Sequence, residues 1–290
     1  MEILISILAF VVPLVLIVGT LIYKYRKVNK KVMDIYKEHK FTFIVYILLR
    51  TFVIFTMVRL IFNREYYNAF LCFVTLVLLM VPAVISKKMN IHLPSPLEII
   101  ILFFIFAAEI LGEIASFYTL HQGWDTWLHT INGFLCAAIG FSLVHLLNEY
   151  DPKRFKLSPL YMTLMAFCFS MTVAVLWEFG EYTMDHYFLF DAQKDFVVNQ
   201  FASVYFDETG LNNPIVLKNI VNTTITLADG TIYQIPGYLD IGIIDTIKDM
   251  FVNCVGALVF CLIGYCSLSS DKYNFIVSSL VPKRKDKHNN

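Results

Sequence analysis

Long apolar runs constrain this chain more than any other feature of its sequence. A helix of about 20 apolar residues is long enough to cross the hydrocarbon core of a bilayer. Hydrophobic residues make up 58% of the chain, charged residues 16%, and the mean hydropathy is +0.64, values typical of integral membrane proteins. We therefore predict an all-α fold, a polytopic membrane helix bundle of about seven transmembrane helices. The predicted helices cover residues 3–23, 41–62, 68–86, 97–119, 127–148, 159–182 and 243–267.

Basic residues are concentrated in alternate connections between these predicted helices. They lie in segments 24–40, 153–156 and 283–287 and at Lys87 and Lys88. Because lysine and arginine are enriched in cytoplasmic loops, we place these connections inside the cell. The pattern predicts a multi-pass protein whose N-terminus is outside and whose C-terminus is cytoplasmic.

The longest connection, residues 183–242, then lies outside. It is acidic and shows only weak structural patterning. Within it, TITLADGTIYQI places β-branched and apolar residues on both sides of Asp229-Gly230, a dipeptide that favours a type I′ turn, so we predict a β-hairpin there. No segment shows a second core. We therefore predict a single integral membrane domain, 1–290, with 183–242 as an extracytoplasmic loop insertion.

The motif WEFGE ends the sixth predicted helix with Glu178 and Glu181 on one helix face, and Asp185 follows one turn later. Carboxylates next to lipid are costly and normally face a protein interior or a water-filled cavity. The pair could form a metal cluster or an acid/base pair. The alternative is a solvated helix end, which explains Asp185 better than it explains Glu178 inside the apolar run.

The motif WDTWLHTINGF carries Asp125 and His129 at i, i+4 spacing, at the outer start of the fifth predicted helix. Such a pair can bind a metal, or the carboxylate can orient the histidine as a general acid or base. The alternative is a carboxylate that stabilises the helix N-terminus beside a histidine hydrogen-bonded inside the bundle.

A polar stripe opens the last predicted helix in DTIKDMFVNCVGA. Asp245, Asp249 and Asn253 follow at i, i+4, i+8, with Lys248 between the acids. Close helix packing at Gly256 would account for a buried Asn253. It would not account for the two aspartates, which we interpret as site residues.

Two further ionisable residues have similar predicted depth near the outer surface. Glu113 lies in the fourth predicted helix, after Glu109, and Arg59 lies in the second. Arg59 could neutralise an acid or bind a phosphate or carboxylate of a ligand. Alternatively, Arg59 extends to the outer head groups.

Four helices thus place acidic or amphoteric residues at one membrane face, which predicts a shared cavity that opens on that face. We predict His129, Glu178, Glu181 and Asp249 as catalytic residues and Glu113, Arg59, Asn253 and Lys248 as ligand-binding residues. The candidate ligands of a divalent metal cation are Asp125, His129, Glu178, Glu181, Asp245 and Asp249.

Three motifs, WDTWLHTINGF, WEFGE and DTIKDMFVNCVGA, occur in an order that resembles the YjdF-like family of bacterial inner-membrane proteins. More distantly, residues 97–267 resemble VanZ-type proteins linked to glycopeptide (teicoplanin) resistance. Where the VanZ-type pattern has a lysine and a glutamine, this chain has Thr126 and Glu181, whereas Asn253 matches a VanZ-type asparagine. The resemblance implies the bacterial inner membrane, a helical membrane fold and a polar site on the outer face, but no reaction.

Three classes of function are compatible with this pattern. The first is an enzyme acting on a lipid-linked or amphiphilic envelope ligand with a divalent cation or an acid/base pair. The second is a non-enzymatic envelope-protection or ligand-binding protein, and the third is a proton- or cation-coupled transporter. No HExxH motif and no phosphate-binding glycine loop is found, and no pattern indicates a nucleic-acid partner.

The orientation can be tested by labelling single cysteines placed at residues 30, 210 and 285 in a cysteine-free background. We expect an impermeant thiol reagent to label residue 210 in intact cells and to reach residues 30 and 285 only after lysis. Protection of residue 210 in intact cells would reverse the predicted orientation.

Overall fold

The computed structural model describes residues 40–150, 157–269, 277 and 279–284. The predicted first helix, 3–23, and nearly all of the basic segment 24–40 lie outside the described residues. The same is true of the basic group 153–156.

The described part of the chain is built mainly from long apolar helices. Among the described residues, five segments are long and apolar enough to cross a membrane: Lys40–Phe62, Tyr66–Lys88, Trp124–Asn148, Pro159–Phe188 and Ile243–Ser269. The predicted polytopic membrane fold is confirmed, whereas the number seven stays a prediction. The helices are α1 Lys40–Phe62, α2 Tyr66–Leu78, α3 Val81–Lys88, α4 Ser95–Phe106, α5 Phe117–Leu120, α6 Trp124–Tyr150, α7 Pro159–Phe188 and α8 Ile243–Ser269.

The fourth predicted helix departs from its regular form. Helix α4 continues directly into a π-helix, Ala107–Ile114, and the helical path then breaks at Ser116, whose φ is +59°. The expectation of one regular helix over 97–119 is therefore wrong. A π-helix is closed by hydrogen bonds between residues five apart instead of four, and π-helical turns are frequent at functional sites.

Helices α6, α7 and α8 form the central layer, and α6 and α8 cross with their backbones in contact. A Cβ on Gly133 would overlap the carbonyl of Asn253, and a Cβ on Gly256 would overlap the carbonyl of Thr130. Small residues allow such an approach in membranes, as predicted for Gly256.

The amide of Asn253 joins the three helices at this crossing. Asn132 of α6 donates to its Oδ1 at 3.1 Å, and its Nδ2 donates to Ser170 of α7 at 3.4 Å. The Ser170 hydroxyl in turn donates to the Gly133 carbonyl at 2.9 Å. Asn253 therefore serves helix packing.

Helices α1, α2 and α4 form a second layer around Val53, Cys72 and Leu102, which are inaccessible. Many large apolar side chains on the outer faces of the helices are exposed, including Phe55 and Leu262. This distribution suits a bundle whose outer surface is covered by lipid.

Two short strands show which basic segments lie at the same end of the bundle. Strand β1, Ile91–His92, follows Lys88 and pairs antiparallel with β8, Lys283–Arg284. Two of the basic groups that the sequence assigned to one side, Lys87 with Lys88 and Lys283 with Arg284, therefore lie at one end. The loop 183–242 lies at the opposite end, where α7 ends and α8 begins. The compartment that each end faces stays a prediction.

The long loop is more ordered than its pattern indicates, because it contains three short antiparallel ladders: β2 with β7, β3 with β4, and β5 with β6. A 3₁₀ turn, Val204–Phe206, follows β3. The strands of the long loop are β2 Val197–Val198, β3 Phe201–Ser203, β4 Ile215–Leu217, β5 Thr223–Thr226, β6 Ile232–Ile235 and β7 Tyr238–Leu239.

Strands β5 and β6 form a hairpin around Asp229-Gly230, but the turn type differs from the prediction. A type I′ turn needs positive φ at both residues, and only Gly230 has it, at +86°. The Gly230 N–H donates to the Leu227 carbonyl at 3.0 Å, and the Leu227 N–H donates to the Thr231 carbonyl at 2.8 Å. Gly230 therefore closes a three-residue loop.

The helix crossing predicts that Gly133→Ala lowers stability, because the new methyl group must push α8 away from α6. We expect a loss of about 1–3 kcal/mol, the usual range for overpacking. Gly180→Ala is the matched control, since no atom lies within 4 Å of a Cβ at this position of α7. Thermal melting in detergent micelles measures both variants, and equal melting temperatures for them would contradict the crossing.

Candidate functional site

Two helices bring three ionisable side chains together at the end of the bundle that carries the long loop. The Nε2 atom of His129 lies 3.3 Å from Oδ1 of Asp125 and 3.9 Å from Oδ2 of Asp249. One ligand atom from each residue lies within 4.8 Å of the others. We call Asp125, His129 and Asp249 the triad.

The crossing of α6 and α8 explains why the triad forms. Gly133 lies one helical turn after His129, and its backbone touches Asn253, which lies one turn after Asp249. Both helices start at the loop end, so one turn back along each brings His129 opposite Asp249.

One oxygen of the triad has no hydrogen-bond partner. Asp249 is 1% exposed, and its Oδ1 is buried without any donor among the described residues. An unsatisfied buried oxygen is costly, and more so when it belongs to a carboxylate. This oxygen therefore indicates a place for a cation or a proton.

A cavity of about 330 Å³ reaches Asp125 and His129. Its polar part is rich in acids, and its other part is lined by apolar side chains of α2, α4, α6 and α7. The acidic residues are Glu109, Glu113, Asp125, Glu181 and Asp245, the basic groups are His129 and Lys194, and the apolar residues include Leu78, Phe104, Ile105, Ala108, Leu128 and Val173.

The π-helix supplies two of these acids, Glu109 and Glu113. Its Gly112 packs against the ring of Tyr118, which a Cβ would overlap. Tyr118 also lines the cavity. Sequence reasoning did not assign Tyr118 to the site, because its position depends on the break at Ser116.

The two glutamates of α7 have different surroundings. Glu181 lines the cavity and accepts a hydrogen bond from Trp177 Nε1 at 2.9 Å. Glu178 is 5% exposed, is not part of the cavity wall, and receives a long 3.5 Å contact from Gln193 Nε2. Gln193 also donates to the hydroxyl of Thr246 on α8.

A short segment after α7, residues 192–196, is held down by carboxylates through its backbone; we call it the strap. Asp185 accepts from the N–H groups of Ala192 and Gln193, at 2.6 and 2.8 Å. Asp245 accepts from that of Lys194 at 2.8 Å, and Asp240 from that of Phe196 at 2.6 Å. Asp185 and Asp245 therefore have structural work that the sequence did not reveal.

The strap places Lys194 in the cavity wall. Its Nζ atom contacts the carbonyl of Asp191 and lies 3.5 Å from the carboxylate of the same residue. No sequence motif marks Lys194, because its place depends on long-range bonds from the strap to α8.

The strap itself adds acid to this end of the molecule. Partial burial raises the pKa of Asp195, and the nearby carboxylates of Asp191, Asp240 and Asp185 raise it further. The segment around Asp195 is therefore acidic even though Lys194 partly offsets these charges.

Three residues predicted to bind ligand lie elsewhere. Arg59 is exposed on α1, whose buried face carries Thr56 and Leu60, and it does not line the cavity. Lys248 is exposed, with Nζ 5.6 Å from the centre of the Phe196 ring. The amide of Asn253 is hydrogen-bonded to Asn132 and Ser170 at the helix crossing. The depth of Arg59 in the membrane stays a prediction, and its side chain lies on the exposed face of α1 instead of the cavity wall.

No curated protein and no solved structure matches this chain. A family model described as "Predicted membrane protein (DUF2238)" matches residues 43–270, a stretch that includes α2 to α8, the triad and the whole cavity wall. The chain therefore belongs to the DUF2238 family of predicted membrane proteins.

Proposed function

We propose that the triad binds one divalent cation, and that the protein uses this cation to bind or transform an amphiphilic or lipid-linked ligand of the cell envelope. The observation that supports the proposal best is the unpartnered, buried Oδ1 of Asp249 beside the His129 imidazole. A cation would compensate the charge of both aspartates in a place where water is largely excluded.

The donor set suits a small transition-metal ion. Two carboxylate oxygens and one imidazole nitrogen are ligands that Zn²⁺ and Mn²⁺ accept. Three protein ligands leave a coordination position for water or for an oxygen of the ligand. The side chains of Asp125, His129 and Asp249 are 27%, 11% and 2% exposed, so the most accessible ligand lies on the cavity side.

An enzyme would use this cation as a Lewis acid or to lower the pKa of a bound water. Glu181 is then the proposed proton-transfer group, because it lines the same cavity as His129. In this proposal Glu178 is a positioning residue: it accepts from Gln193, which also donates to Thr246, and it helps in this way to hold the strap. A non-enzymatic binder, the alternative, would use the same cation only to hold the ligand, and a coupled transporter, the second alternative, would move it.

The cellular setting is part of the proposal. The basic end of the bundle faces the cytoplasm of a bacterial cell and the cavity faces the outside, in a single membrane domain with 183–242 as its insertion. The relation to YjdF-like and VanZ-type proteins rests on the motifs around Asp125, Glu178 and Asp245.

Metal content tests the triad. We expect protein purified from Zn²⁺- or Mn²⁺-supplemented cells to hold one ion per chain by elemental mass spectrometry. Asp249→Asn removes a charged ligand, and we expect affinity in a chelator competition to fall by about 100-fold or more. Asp245→Asn is the control, because its amide oxygen still accepts the Lys194 N–H.

A metal-free wild-type protein under these conditions would contradict the proposal. Equal loss of the ion in Asp245→Asn and Asp249→Asn would show a wider acidic cluster instead of the triad.

Glu181→Gln tests the proton-transfer role. The variant keeps an acceptor for Trp177 and loses the charge, so we expect normal melting and metal content but a loss of function, scored as glycopeptide or envelope-stress sensitivity. Glu208→Gln, on an exposed part of the long loop, is the control. A wild-type phenotype for Glu181→Gln with normal expression would remove Glu181 from the reaction.

A further inference from the structure

We infer that the ligand of this cavity carries a cationic head group: an ammonium on an apolar chain. The inference concerns the same cavity as the proposed function and names the chemical class of its ligand. It differs from the sequence-based expectation of a phosphate or carboxylate bound by Arg59, since Arg59 lies outside the cavity.

The charged residues of the cavity wall favour a cationic head group over an anionic one. If the triad holds a divalent cation, the charges of Asp125 and Asp249 are balanced. Four other carboxylates then line the cavity against one ammonium group, that of Lys194. An anionic head group would enter an excess of negative charge in a medium of low dielectric constant, whereas a cation would be attracted. The acids concerned are Glu109, Glu113, Glu181 and Asp245, and a bound cation would favour their ionised form.

The acids of the cavity wall are brought together by the fold, as in a binding site. They come from the π-helix, α7 and α8, which are distant in sequence, so the fold converges them on one space. Glu109 and Glu113 are not committed to the strap, unlike Asp245. Glu109 and Glu113 are therefore acids of the cavity wall that the strap does not explain.

The aromatic rings near Glu181 also favour an ammonium group. The carboxylate of Glu181 accepts from the indole of Trp177, and both residues line the cavity together with the phenol ring of Tyr118. Aromatic faces attract ammonium groups, and the attraction increases when the group is shielded from water. A phosphate gains no such attraction from an aromatic face.

The apolar part of the cavity wall indicates that the ligand carries an alkyl chain. Leu78, Phe104 and Ile105 line this apolar part, from the last turns of helices α2 and α4. A small polar amine would leave this surface uncovered, whereas an alkyl chain would cover it and remove more apolar surface from water. The amphipathic wall therefore selects an amine with a chain.

Lys194 already supplies one ammonium group to the wall. Its anchoring is through its backbone N–H, so the side chain can be replaced without releasing the strap. Removing this charge increases the negative excess. Lys194→Gln should therefore strengthen the binding of a cationic ligand, which a structural role of Lys194 would not predict.

The test uses the full chain in maltoside micelles and three probes: dodecylammonium, dodecyl phosphate and ethylammonium. Native mass spectrometry counts the bound probe and gives its apparent Kd. We expect dodecylammonium to bind one per chain, at least about tenfold more tightly than dodecyl phosphate, as for one added charge interaction. Ethylammonium should bind more weakly than dodecylammonium, because the head group alone leaves the apolar wall empty.

The variants give opposite signs. Glu113→Gln and Glu181→Gln should each weaken dodecylammonium binding by about tenfold, and Lys194→Gln should strengthen it by a similar factor. Glu208→Gln should bind as the wild type does. Melting temperature checks that each variant is folded, and the two glutamate variants replace each other if one fails to fold.

Equal or tighter binding of dodecyl phosphate would overturn the inference, as would binding that is unchanged in both glutamate variants. Ethylammonium binding as tight as dodecylammonium would show a soluble amine as the ligand and would overturn the chain requirement. The probes are compared in chelator-treated and ion-loaded protein, with metal content measured separately. Metal binding without ammonium selectivity would then refute this inference alone, and ammonium selectivity without metal would refute the proposed cation alone.

Discussion

The contact between the backbones of α6 and α8 is the constraint on which the rest of the structure depends. Gly133 and Gly256 have no side chain at the crossing, so Asn253 and Thr130 of the opposite helices approach within backbone contact. Apolar surface gives little driving force between helices in lipid, and close packing with interhelical hydrogen bonds must replace it. The amide of Asn253 supplies those bonds. The same register then fixes His129 opposite Asp249, so one packing solution sets both stability and site geometry.

The acids of this end divide into two groups by their partners. Asp185 and Asp240 accept backbone N–H bonds from the strap, which satisfies their charge and orders the chain after α7. Asp249 has an oxygen for which the described part of the chain offers no donor. A carboxylate with backbone donors is explained by folding alone, whereas a buried one without a donor requires another group. This contrast separates structural acids from candidate ligands better than their sequence spacing does.

Much of the fold could be predicted because hydropathy and helical period are local properties. The long helices lie close to the predicted intervals, and the i, i+4 pair Asp125 and His129 meets as expected. The errors have a common cause: they needed long-range information. Arg59 was placed by depth without the direction of its helix face, the π-helix has no hydropathy signal, and Lys194 reaches the cavity only through the bond from its N–H to Asp245.

The strap connects the long-range hydrogen bonds of the fold with the charge of the cavity. It closes the loop end of the cavity with backbone N–H groups bound to carboxylates, and it contributes only one charged side chain, Lys194, to the wall. The wall would be more negative still if this lysine were absent, and repulsion among acids in a low-dielectric space would oppose folding. A resident ammonium group limits that cost in the empty protein. Because this group sits on a segment tied down through its backbone, its side chain can yield to an incoming cation while the walls of the cavity keep their shape.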